Sequence, residues 1–200
     1  MARVSRLAGA ASVLALTCVV AACSGSTGGT PEPSPSSPSS AGPATPKIES
    51  PLPASLIQGD PCAALTPAQV DSLFTNPPTR DQAAKDTGVA KSCGWHDIDR
   101  GSLVGIQFVY AWKHGLSDVY ATQGRGFFKV LAPVQGYPVA AYGPSDLRSK
   151  GMCNVAVGIA DNAAFEADVQ FANSAVGKGD PCDDARKVAD LAITTLKASV

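Results

Sequence analysis

Two histidines and six cysteines are the residues from which this chain could assemble a reactive centre. His96 stands in Cys93-Gly94-Trp95-His96-Asp97 and His114 in Trp112-Lys113-His114-Gly115. A Ser/His/Asp hydrolase would need one of them as its general base, beside a serine raised on a sharp Gly-x-Ser-x-Gly turn. No such turn occurs, and Gly115-Leu116-Ser117-Asp118 misses the spacing. His96 with Asp97 and Asp99 offers nitrogen and oxygen to a metal, but the same residues also make an exposed acidic turn at a strand end. Gly124-Arg125-Gly126 lacks the spacing of a phosphate-binding loop. The expectation is no catalytic set, no metal and no cofactor.

The cysteines fall into two groups. Cys18 and Cys23 lie near the start; Cys62, Cys93, Cys153 and Cys182 lie in the body of the chain. The nearest pair in the second group is 29 residues apart and no Cys-x-x-Cys occurs, which argues against zinc. An even count in an exported chain reads as two disulfides. Three pairings are possible. Cys62–Cys93 with Cys153–Cys182 is favoured, because each then ties a helix start to a nearby strand.

Aromatic residues offer binding rather than catalysis. Trp95, Tyr110, Trp112, Tyr120, Phe127, Phe128, Tyr137 and Tyr142 gather in the middle of the chain. Most are expected in the core. Trp112 and Tyr137 border turns and are the positions expected to meet a ligand.

The elements that must position these groups follow from capping and periodicity. Gly-Asp-Pro-Cys occurs at Gly59–Cys62 and again at Gly179–Cys182. Asp caps a helix and Pro suits its first position, so both copies read as helix starts. Thr66 and Gln69 have capping-box spacing and predict a short helix over 67–74. Ala185, Val188, Ala189, Ala192 and Leu196 form one stripe of helical period, with Asp183 and Asp184 in the first turn and Lys197 in the last. A further short helix is read around 116–123.

Alternation predicts strands at Val104–Tyr110, Val155–Ile159 and Phe165–Phe171, the last with Glu166, Asp168 and Gln170 on a wet face. Further strands fit Ser92–Asp97 and Phe127–Pro133. The expected fold is α+β: a disulfide-stapled antiparallel sheet of about five strands, with two or three helices packed mainly on one face.

The first sixty residues decide the address. Arg3 and Arg6 precede an apolar run from Leu7 to Val20, then Ala21-Ala22, the three parts of an export signal. The run falls short of the ~20 residues that span a bilayer. Val20-Ala21-Ala22-Cys23 resembles the lipobox of bacterial lipoproteins, which implies cleavage before Cys23 and a diacylglycerol on its sulfur. Residues 1–22 are thus read as a lipoprotein signal peptide. Residues 23–58, holding eight of the sixteen prolines, are read as a lipidated cysteine and a disordered Pro/Ser-rich tether. Residues 59–200 are read as an extracytoplasmic domain. Removing the signal takes away two arginines and no acid, moving the formal charge from −1 to −3. Such a balance excludes a basic stripe for nucleic acid and leaves membrane attachment to the lipid on Cys23.

Together these motifs resemble a family of exported actinobacterial lipoproteins catalogued as domain of unknown function 3558. The resemblance rests on the lipobox, the tether, Asp60-Pro61-Cys62-Ala-Ala-Leu-Thr66-Pro67, Cys93-Gly94-Trp95, Gly136-Tyr137-Pro138-Val139-Ala140, Cys153-Asn-Val-Ala-Val157 and Asp180-Pro181-Cys182. It implies an envelope lipoprotein and no defined activity. The functional expectation is a non-enzymatic module, anchored on the outer side of the cell membrane, that binds a small ligand, glycan or envelope protein. The rivals are an enzyme acting on cell-wall material and a secretion-associated structural partner.

Overall fold

Within residues 44–200, which the computed structural model describes, the two Gly-Asp-Pro-Cys copies begin alike and end differently. Asp60 Oδ1 accepts the Cys62 N–H at 2.9 Å and Asp180 Oδ1 accepts the Cys182 N–H at 3.0 Å. The first copy makes only a 3-10 turn, Pro61–Ala63. Thr66 follows closely, and a residue before proline is driven out of the helical region; its ψ is 156°. Thr66 then caps α1 (Pro67–Asp71) with the full reciprocal capping box. The second copy has no proline behind it and opens α3 (Pro181–Ala198).

Between these helices lies an antiparallel sheet of eight strands rather than about five. They are β1 (Thr79–Arg80), β2 (Lys85–Asp86), β3 (Lys91–Asp97), β4 (Ser102–Phe108), β5 (Phe127–Val134), β6 (Tyr137–Gly143), β7 (Met152–Ala160) and β8 (Ala163–Gln170). Their spatial order is β1-β3-β4-β8-β7-β6-β5, with β2 also pairing β3. The additions are two short ribbons and β6. Strand β6 has no alternation to betray it, since Tyr137 to Ala141 are buried in succession. Its Pro138 also argues against an interior strand. It is joined to β5 by the two-residue turn Gln135-Gly136, with φ of 48° and 88°, the left-handed pair a tight hairpin requires. The Gln135 amide donates to Asp190 O and Thr194 Oγ1 on α3, which holds this non-glycine residue in place.

One sheet face is apolar. Val104, Ile106 and Phe108 of β4, Phe165, Ala167 and Val169 of β8, and Val155, Val157 and Ile159 of β7 point to it and join the main core. The buried stripe of α3 covers them, and α1 is tied to α3 where Gln69 Nε2 donates to Leu191 O at 2.9 Å. Both disulfides lie on this side: Cys62–Cys93 fixes the 3-10 turn to β3, and Cys153–Cys182 fixes the start of α3 to β7. This is the pairing favoured from the sequence.

One boundary is corrected. The folded unit does not begin at Gly59, because Ile48, Leu52 and Ile57 are buried in the main core and Leu52 N–H donates to Ile159 O at 2.8 Å. The apolar members of a Pro-rich stretch were enough to dock it. The helices pack mainly on the apolar face, as expected, and α2 (Leu116–Tyr120) packs on the opposite face, over Ala140, Ala156 and Ala164. Those alanines leave room for it, which is why the alternation of these strands looks featureless on that side. Among the described residues no helix is long and apolar enough to cross a membrane. Cys23, the signal segment and the tether up to residue 43 lie outside the described residues.

Candidate functional site

Two places on the sheet gather polar chemistry. The first is a cleft of about 370 Å³ at one end of the apolar face. Segments distant in sequence form it: the chain leaving α1, the β3–β4 hairpin, the end of β8, the loop after it and the first turns of α3. Leu73, Phe74, Val104, Val169, Phe171 and Val188 give it apolar walls. Five charged side chains also line it: Arg100, Lys178 and Lys187 against Asp97 and Asp184. Asp97 is buried and committed. Its Oδ1 accepts the Arg100 N–H at 3.2 Å, and its Oδ2 lies 4.0 Å from Arg100 Nε. Neither Lys178 nor Lys187 enters an ion pair among the described residues. The volume falls within the ~300–1,000 Å³ of small-molecule sites, and the mixture of apolar walls with few polar groups is theirs as well.

The second place is a polar row on the opposite face. Register aligns Gly94, Gly105, Asp168, Asn154 and Tyr142 across β3, β4, β8, β7 and β6, with Gln107 and Glu166 paired in the next row. The glycines make space. A Cβ on Gly105 would fall 2.3 Å from Asp168 Oδ1, and one on Gly94 would fall 2.7 Å from His96 Nε2. Gln107 Nε2 donates to Glu166 Oε1 at 2.8 Å, and the Tyr142 hydroxyl bonds to Glu166 Oε2. Burial, reinforced by the charge of Asp168, pushes the Glu166 carboxyl up to about 8. Burial also raises Asp168 to about 6, against the opposing pull of Gln107 and His96. At neutral pH Glu166 therefore keeps its proton.

This row is not legible in β8, where alternation puts Glu166 and Asp168 on a wet face. The face is right and the wetness is wrong for Glu166, which is only 5% exposed. The available signal was the pair of glycines: Gly94 and Gly105 interrupt two strands at same-face positions where a side chain would be expected to pack.

The histidines and candidate aromatics come out separately. His96 lies 3.4 Å from Asp81 and points to the polar face. Asp97, its neighbour in an extended strand, points to the apolar face, so the two cannot share an ion. His114 Nδ1 lies 2.9 Å from Asp118 Oδ1 at an exposed turn. Among the described residues neither histidine has a hydroxyl or thiol among its hydrogen-bond partners, and no cluster of three or more His, Cys, Asp or Glu is placed to hold a metal. Tyr137, expected at a ligand surface, is instead 4% exposed, and its hydroxyl donates to Ser50 O at 2.9 Å. The N-terminal segment that docks there covers it. Trp112 is half-buried and meets the Tyr142 ring edge-on at 5.6 Å, beside the polar row and away from the cleft.

A family described as "Protein of unknown function (DUF3558)" matches residues 18–195. No curated protein and no solved structure matches the chain.

Proposed function

Starting from the fact that the chain belongs to the DUF3558 family, we propose that it is a non-enzymatic envelope module that binds a small ligand in the cleft beneath α3. The carrying observation is the cleft itself: about 370 Å³, walled by apolar side chains and edged by charges, on a scaffold held by two disulfides. A rigid frame of this kind lowers the ordering cost of binding. The location on the extracytoplasmic face of the cell membrane and the lipid on Cys23 belong to the same proposal. They draw on the signal-like N-terminus and on Val20-Ala21-Ala22-Cys23, which resembles a lipobox.

The test of the cleft is a ligand screen by thermal shift on the purified protein and on Ser174→Trp. Ser174 is an exposed loop residue lining the cleft, so the indole fills the opening without touching the core. Hits should shift the parent and not the variant. Hits that shift both equally would place binding elsewhere. For anchoring, Cys23→Ala should move the protein from membrane to medium, and its retention with the membrane would refute the lipid.

One observation favours the rival catalytic reading. Glu166 and Asp168 are carboxyls on one strand whose environments hold their proton affinities apart, the pattern of an acid/base pair. Against it, Gln107 and Tyr142 occupy both Glu166 oxygens, and the group is buried. Release of soluble fragments from cell-wall material by the parent protein, abolished in Glu166→Gln, would overturn the non-enzymatic proposal.

A further inference from the structure

The charges around the cleft carry the reading further than its volume does. Asp97 is neutralised locally by Arg100, which follows it in the same hairpin. Asp184 sits in the first turn of α3, where its charge faces the positive end of the helix dipole. Three cations against two carboxylates leave the lining with one net positive charge. Lys178 and Lys187 enter no ion pair among the described residues. One comes from the loop after β8 and the other from α3, so the fold lines one cleft with two cations from separate segments. Behind them the walls are Phe74, Phe171, Val104 and Val169. Apolar walls lower the local dielectric and strengthen the field of a cation at their margin.

Resting on the ligand-binding reading above, we infer that the cleft takes a small amphiphilic anion, with one apolar body against Phe74, Phe171, Val104 and Val169 and its charged head between Lys178 and Lys187. A polymer does not fit a space at the low end of the small-molecule range. A cation would meet three positive side chains against two carboxylates, one of which is already held by Arg100. Lysine rather than arginine at the margin suits a compact charge approached from several directions, since the ammonium is a rotatable point charge and not a planar fork.

The experiment uses two fluorescent probes with the same pair of aromatic groups. 8-Anilino-1-naphthalenesulfonate carries an anionic head, and N-phenyl-1-naphthylamine lacks it. Each is titrated into the parent protein, into Lys178→Gln/Lys187→Gln and into Ser174→Trp. Both lysines are exposed, so the double variant keeps the fold. The inference expects saturable binding of the sulfonate at least tenfold tighter than of the neutral probe. It also expects about a tenfold loss in the double variant, with the neutral probe unchanged, and weakening as salt rises. Equal affinity for both probes, or a sulfonate affinity untouched by the double variant, overturns the anion while leaving the cleft as a site. Failure of both probes to bind, or binding unaltered by Ser174→Trp, removes the cleft reading as well.

Discussion

The two faces of the sheet are written on the same strands and solve burial in opposite ways. On one face, Ile106, Phe165 and Val157 interlock beneath α3, and both disulfides hold the cover down. On the other, a much shorter helix covers small residues, and two glycines and a chain of hydrogen-bonded polar groups occupy the rest of the face. The apolar face gains stability simply by excluding water. The polar face must satisfy every buried group it creates, and each unsatisfied one costs free energy. Damage to the first should therefore be large and insensitive to pH. Damage to the second should be smaller, and its sign should depend on protonation.

The widest separation should come from truncating Phe165, which is fully buried at the centre of the apolar face. Phe165→Ala removes packing on all sides and should lower unfolding free energy by roughly 3–5 kcal/mol, read as a fall in denaturant midpoint at unchanged slope. A loss under about 1 kcal/mol would mean that α3 can collapse onto the gap, and the contrast between faces would weaken. Next comes the staple between Cys153 and Cys182, which closes a loop with sequence separation 29. Cys153→Ser/Cys182→Ser should cost about 3–4 kcal/mol through the freed unfolded chain. The effect should vanish when parent and variant are compared under full reduction.

The polar face should answer to pH. In the folded protein Glu166 holds its proton up to about pH 8, against an ordinary value of 4.5. Between those values the unfolded chain binds fewer protons than the folded one, so stability falls as pH rises through the window and levels off above it. The loss attributable to Glu166 should be roughly 3 kcal/mol, given relaxation around a buried charge. Glu166→Gln preserves the shape and bonding to Gln107 and Tyr142 but cannot ionise. Chemical denaturation should find it near the parent at pH 4.5 and more stable at pH 8.5. A shallower decline should persist up to about pH 6, because Asp168, raised from 3.8 to about 6, still titrates with the same sign. Parallel pH profiles for the two proteins would show that Glu166 is solvated and that the faces differ less than their packing indicates.

Legibility in the sequence follows the same division. Features enforced by local rules were readable: the Asp60, Thr66 and Asp180 caps, the stripe of α3, and the alternation of Phe165, Ala167 and Val169. The disulfide pairing was reachable because each bond joins neighbours in topology. Features made by covering were not. Strand β6 is buried on both faces and so shows no period, and Tyr137 left the surface because residues near Ser50 dock over it. The same is true of the cleft, whose walls come from five separated segments. Glu166 looked solvent-facing because alternation assigns a side chain to a face, while its wetness depends on what the rest of the chain lays over that face.

The smallest effect isolates a flaw in the polar side's cover. Tyr120 of α2 meets Phe128 edge-on at 5.0 Å, and its hydroxyl is buried with no hydrogen-bond partner among the described residues. Burial raises its pKa, so the phenol stays neutral, and its polar oxygen gives up water for nothing. Tyr120→Phe keeps the ring contact and deletes the oxygen. Because an unsatisfied buried group costs about 1–3 kcal/mol, the variant should be more stable than the parent by roughly 1 kcal/mol, visible as a rise in Tm. The matching change on the same face, Tyr142→Phe, removes a hydroxyl that Glu166 does use, and should destabilise by a similar amount. Two Tyr→Phe substitutions of opposite sign within one cluster would show that satisfaction of the polar groups, and not apolar contact, sets the stability of this face. If Tyr120→Phe were instead destabilising, a water or a shifted neighbour must serve its hydroxyl, and the cover over the polar face would be better built than its bonding indicates.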